Sequence, residues 1–150
     1  MSSKPGDALS IFTHFSSIFT MNIDQFKAEI AKYQKQLAQP IPTEMNLCVE
    51  KISQLGAIHY RTGYLLANAR RFLRKVKEEK TKDQIDKKKE NKFSYQVQNT
   101  LLEGAVAEET YLVELLEMMN FSCTQQIEIC RTIISKEKEE LRYSGINMLG

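Results

Sequence analysis

Apolar residues in this chain return at intervals of three and four, the spacing of a helix face. Ile23, Phe26, Ile30, Tyr33 and Leu37 step by three, four, three and four, which sets five apolar side chains along one seam. Asn22 or Asp24 can cap its start, and Pro40-Ile41-Pro42 ends it. So regular a seam predicts packing on another helix, in this chain or in a partner, and marks the five residues as a candidate oligomer or partner interface. Ahead of it, Leu9, Ile11, Phe12, Phe15, Ile18 and Phe19 form an apolar segment that fits a helix by spacing and a strand by composition. A short helix, docked on the body or on a neighbouring subunit, is the reading taken. Residues 1–8, broken by Pro5-Gly6, read as a flexible tail.

After Thr43, which offers an N-cap, a much longer element is expected to reach about Glu79, roughly 55 Å at the rise of an α-helix. At 100° per residue, Ile52, Leu55, His59, Thr62, Leu66, Ala69 and Leu73 group on one side, as a core face. Tyr60, Tyr64, Ala67, Arg71 and Lys75 fall on nearly the opposite side. His59 in this reading is a core or interface histidine, and Phe72 points between the two faces. Gly56 and Gly63 would weaken an isolated helix by about 1 kcal/mol each, so close backbone packing is the expected reason for both.

Residues 80–92 are polar except for Ile85, a solvated helix end or a loop. Phe93 then opens a helix through Val97, Leu101, Ala105, Leu112, Leu115 and Met119, with an interruption or kink expected at Asn120-Phe121-Ser122. A last helix carries Ile127, Cys130, Ile134 and Leu141 and stops near Gly145. The pattern predicts an all-α protein of four to five helices, long helices in a bundle-like, oligomerising arrangement. Residues 9–145 form one helical domain in this reading, and 146–150 a C-terminal tail.

Composition agrees with that class. The chain has 150 residues, 42% hydrophobic and 27% charged, with six glycines and three prolines, enough for a core and poor in helix breakers. Charge changes the picture more. From Arg70 to Lys92 eleven basic residues face five acidic ones, a local +6, while the whole chain carries only +2. Residues 1–69 are close to neutral and residues 93–150 carry four basic against nine acidic residues. Segregated positive charge beside aromatic residues points to a polyanion, most naturally a single-stranded nucleic acid. Tyr60, Tyr64, Arg70, Arg71, Arg74, Lys75, Lys77, Lys80 and Lys82 are the candidate nucleic-acid-binding residues. Arg70–Arg74 and Arg71–Lys75 are like-charged i,i+4 pairs, unfavourable by a few tenths of a kcal/mol until a counter-ion arrives. Tyr60, Tyr64 and Phe72 are candidates to stack on bases, with the core an equal reading for Phe72.

Catalytic and metal chemistry find little support. Cys48, Cys123 and Cys130 lack a CxxC spacing, and with only His14 and His59 beside them a zinc set is short of ligands. The three read as buried, reduced thiols of a cytoplasmic protein. Glu103, Glu108 and Glu109 share a helix, with Glu108 nearest its apolar side, but the Glu-x-x-His of a carboxylate metal site is absent. No Gly-rich phosphate loop occurs. The expectation is a non-enzymatic protein with no cofactor, no metal and no membrane span.

Three stretches carry a family likeness: Tyr64–Leu73 (YLLANARRFL), Leu101–Tyr111 (LLEGAVAEETY) and Gln126–Leu141 (QIEICRTIISKEKEEL). In their order, across residues 47–141, the chain resembles the UvsY-type recombination mediators of tailed phages. That resemblance implies a homo-oligomer, often ring-like, that binds single-stranded DNA on a basic surface and loads a RecA-like recombinase onto strands coated by a single-strand-binding protein. It would make Arg70, Arg71, Arg74 and Lys75 the phosphate contacts and Tyr64 the stacking residue. The competing expectation is a helical phage structural or protein-interaction component, an assembly factor or an inhibitor of host defence, with no nucleic-acid binding.

Overall fold

The computed structural model describes residues 23–88 and 94–148. The apolar segment from Leu9 to Phe19, the N-terminal tail, and Lys89 and Lys92 of the basic run lie outside the described residues. Four helices account for nearly all of the rest, with no strand among the described residues: α1 (Ile23–Leu37), α2 (Met45–Lys88), α3 (Tyr95–Ala105) and α4 (Ala107–Met148). They divide into two compact units. The first holds, of the described residues, 23–29 with Tyr64–Leu116; the second holds Ile30–Gly63 with the chain from Glu117 onward.

In the second unit α2 and α4 run antiparallel. Met45 meets Glu137, Leu55 and Ile58 share a core with Cys123, and Thr62 meets Asn120, so α4 recedes as α2 advances. Tyr33, Leu37 and Ile127 pack against that core. Polar side chains tie the helix ends. Lys51 Nζ donates to Gln36 O at 3.1 Å and Gln126 Nε2 to Leu37 O at 2.7 Å, satisfying carbonyls that the end of α1 leaves without helical partners. The Lys51 ammonium, buried, thereby sits at the negative end of the α1 dipole. Glu137 Oε2 accepts the Met45 N–H at 2.8 Å, so α2 is capped across the unit by a carboxylate rather than by Thr43. Asn120 Nδ2 donates to His59 O at 2.8 Å and to Thr62 Oγ1 at 3.0 Å.

The first unit buries Phe26 from α1, Leu65, Leu66, Ala69 and Phe72 from α2, Val106 at the α3–α4 junction, and Leu112, Val113 and Leu116 from α4. Glu109, not Glu108, lies on the covered side of α4. On α3 nothing is buried.

Several expectations change. Phe26 is fully covered, Ile30 is buried, and Tyr33 and Leu37 pack on the second unit's core, so this seam meets the chain's own helices instead of presenting a free interface. Only the Ile23 side chain lies outside the described residues. The element from α2 continues past Glu79 to Lys88, because residues 80–88 contain no Gly or Pro and alternate charges in i,i+4 pairs such as Glu78–Lys82 and Lys82–Asp86. The single helix expected to open at Phe93, itself outside the described residues, and run to Met119 is two helices from Tyr95 onward. Val106 closes α3 with φ −117° and ψ 19°, its N–H shared by Leu102 O and Gly104 O. Its own carbonyl then accepts both the N–H and the hydroxyl of Thr110, at 3.0 and 2.8 Å, and starts α4. No break occurs at Asn120: its amide reaches across to α2 and leaves its own backbone helical.

Candidate nucleic-acid interface

Burial along α2 repeats every seven residues. Cys48, Leu55, Thr62 and Ala69 are buried, and so are Lys51, Ile58, Leu65 and Phe72 three places later in each heptad. A seven-residue repeat is a 3.5-residue turn, and it drifts about 20° per heptad from a straight helix projected at 3.6. That drift decides two assignments. Phe72 falls on the seam and is only 8% exposed, so it cannot stack on a base in this fold. His59, placed in the apolar face by the straight projection, is exposed, with Ile58 taking the buried position instead.

The face turned away from the seam is the second, third and sixth position of each heptad. In the first unit it carries Tyr64, Arg70, Arg71, Arg74 and Lys77, all exposed. Tyr64 is half exposed, and its carbonyl accepts the Asn68 amide at 2.9 Å, one turn along. Lys75, Lys80 and Lys82 are exposed as well but flank the seam. Tyr60 belongs to the second unit, where it is 77% exposed.

Electrostatics narrows the site further. Residues 70–75 hold Arg70, Arg71, Arg74 and Lys75 with no acid among them, a +4 patch within two turns. Residues 77–86 hold three lysines against Glu78, Glu79, Asp83 and Asp86, a net −1. The lysine-rich look of the stretch therefore overstates its charge: Lys77, Lys80 and Lys82 each sit among carboxylates that screen them. Beyond Val76 the helix has almost no buried side, with only Gln84 partly covered among residues 77–86. The cationic centre is the Arg70–Lys75 segment, held in place by Ala69 and Phe72 on its inner side.

Two exposed aromatics of the first unit were not singled out by the sequence: Tyr95, 77% exposed in the first turn of α3, and Tyr111 on α4. Their signal was negative, since neither fits an apolar repeat of its helix. Among the described residues no group of three or more His, Cys, Asp or Glu side chains could hold a metal ion. No described helix is long and apolar enough to cross a membrane. Cys48, Cys123 and Cys130 are free, buried thiols in the second unit. Burial raises Cys123 and Cys130 above the usual thiol range, and for Cys130 the hydrogen-bonded neighbouring thiol of Cys48 adds to the shift. Such thiols are poor nucleophiles. No protein family, characterised protein or solved structure matches this chain.

Proposed function

We propose that the Arg70–Lys75 segment of α2, with Tyr64 beside it, binds the backbone of single-stranded DNA, and that the chain acts without catalysis as a recombination or replication mediator loading a RecA-like recombinase. The observation that carries the reading is the +4 patch: four exposed cations in six residues, without an acid, three on the outer face of a helix anchored from within and Lys75 flanking its seam. The like-charged i,i+4 pair Arg71–Lys75 is unfavourable alone, and a phosphate beside it would reverse the sign. The acids that follow from Glu78 limit the strong contacts to this short segment. Affinity per chain is then modest, and a homo-oligomer presenting several copies would raise it through effective concentration.

Fluorescence anisotropy of a labelled single-stranded oligonucleotide, titrated at several salt concentrations, tests this. Four phosphate contacts give a slope of about −2.8 in log affinity against log salt, so raising salt from 50 to 200 mM weakens binding about fifty-fold. Changing Arg70, Arg71, Arg74 and Lys75 to Ala flattens that slope, whereas Tyr64→Ala leaves the slope and weakens binding by about 1–3 kcal/mol. Equal binding by native and fourfold variant, or none by the native protein at low salt, sinks the proposal. The protein-interaction reading then takes its place.

A further inference from the structure

The helix α3 is the least covered element of the described chain. None of its residues is buried, and Tyr95, Val97 and Leu101 are 77, 43 and 51% exposed. Val97, Leu101 and Gly104 follow at i, i+4 and i+7, so two of the three apolar side chains share one face with a glycine that adds no bulk to it. At Gly104 an added Cβ would meet nothing within 4 Å, so that face is open. A short helix that buries no side chain has little to hold it in water, which leaves the face in want of a partner.

The chain carries an apolar segment of its own to set there. Residues 1–22 precede α1 and lie outside the described residues. Between Ala8 and Ile23 they contain no Asp, Glu, Lys or Arg, and Leu9, Ile11, Phe12, Phe15, Ile18 and Phe19 are concentrated within it. That stretch joins α1 at Ile23, and residues 23–29 belong to the same unit as α3. Three residues, about 10 Å of extended chain, separate Phe19 from Ile23. A segment tethered within the same unit meets α3 at an effective concentration that dilution does not lower, unlike that of a second copy.

We propose that the apolar face of α3, with Val97 and Leu101 at its centre, is the docking seat of the chain's own residues 9–19. The proposal goes beyond nucleic-acid binding and does not depend on it. Hydrogen exchange on the full chain reads it out. Phe15→Ser is expected to speed exchange of the α3 amides at least tenfold, and Leu101→Ser to do the same to residues 9–19. The double variant should add little to either single change, because both remove one contact. Amides of residues 48–58, in the other unit, keep their native rates and show that the fold persists; Phe15→Ala replaces the serine variant if they do not. Unchanged α3 exchange in the Phe15 variants overturns the proposal, as does additivity in the double variant. So does protection of α3 that disappears on dilution, which would make a second copy the occupant.

Discussion

The two units draw on the same long helices, α2 and α4, yet they hold them differently. In the second unit helix ends and one helix middle are tied to their neighbours: α1 at Gln36 and Leu37, α2 at Met45, and the middle of α2 at His59 and Thr62. The first unit closes an apolar core from Phe26 to Leu116 and leaves α3 with no buried residue. Charge follows the same division, with the acid-free cationic run Arg70–Lys75 of α2 in the first unit. The contrast is one of surface: the second unit ties its helices with directed hydrogen bonds, while the first leaves a whole helix uncovered and gathers the acid-free cations of α2.

The widest test of this contrast compares two leucines. Leu55, 1% exposed at the centre of the second unit's core, should cost about 2–5 kcal/mol when changed to Ala. Leu101 on α3, half exposed, should cost under about 0.5 kcal/mol for the same change in the described fold. Urea unfolding of both variants measures the difference. Similar losses would mean that α3 is covered as deeply as the core, the outcome that docking of residues 9–19 would move toward.

Next in size is the amide that spans α4 and α2. Asn120→Ala removes both bonds, leaving the buried Thr62 hydroxyl with only His59 O, and should cost about 1–3 kcal/mol. Thr62→Val fills the same space without needing the bond, so the double variant should lose less than the sum of the singles. A strictly additive cycle, read by denaturant midpoint, would show that Asn120 matters only for packing.

How much of this was legible follows from what a period can and cannot report. The α1 seam, the long α2 and the all-α class follow directly from steps of three and four. So does the opposition between Leu55 and Tyr64 on α2. His59 was misplaced and Phe72 left undecided between core and surface because a straight 3.6-residue projection cannot tell a seven-residue repeat from a straight helix until several heptads of burial are seen. The joint at Val106 and the unbroken path through Asn120 turned on long-range or shared hydrogen bonds, which leave no periodic trace. For the site, the sequence located the basic stretch and the acids within it, and the structure adds that α2 beyond Val76 has almost no buried side to hold the lysines in place.

The buried thiols give an alkaline counterpart to these substitutions. Cys123 and Cys130, both in the second unit, have thiol values raised by burial, so the folded chain holds protons that the unfolded chain releases sooner. Their contribution is fully present below the unfolded thiol range, near pH 8.5, and is lost as pH rises through the folded values. Each thiol lowers stability by up to about 1.4 kcal/mol per pH unit in that window. Cys123→Ala should flatten the fall in urea midpoint between pH 8 and 10 relative to the native chain. An unaltered slope would assign the alkaline loss to other groups.

The smallest effect separates two glycines that the sequence treats alike. Gly56 and Gly63 both lie inside α2, seven residues apart, and each costs helix stability in isolation. An added Cβ at Gly56 would meet nothing within 4 Å, whereas at Gly63 it would lie 3.4 Å from Asn120 Nδ2, the atom that bonds His59 and Thr62. Close packing therefore accounts for Gly63 and not for Gly56. Gly56→Ala should raise stability by about 0.5–1 kcal/mol, chiefly by restricting the unfolded chain. Gly63→Ala gains the same propensity but crowds the Asn120 amide, so its net change should be smaller or reversed. Thermal unfolding of the two variants decides the matter: if Gly56→Ala destabilises, something covers that turn of α2 in solution, and the second unit is less closed on itself than its bonds suggest.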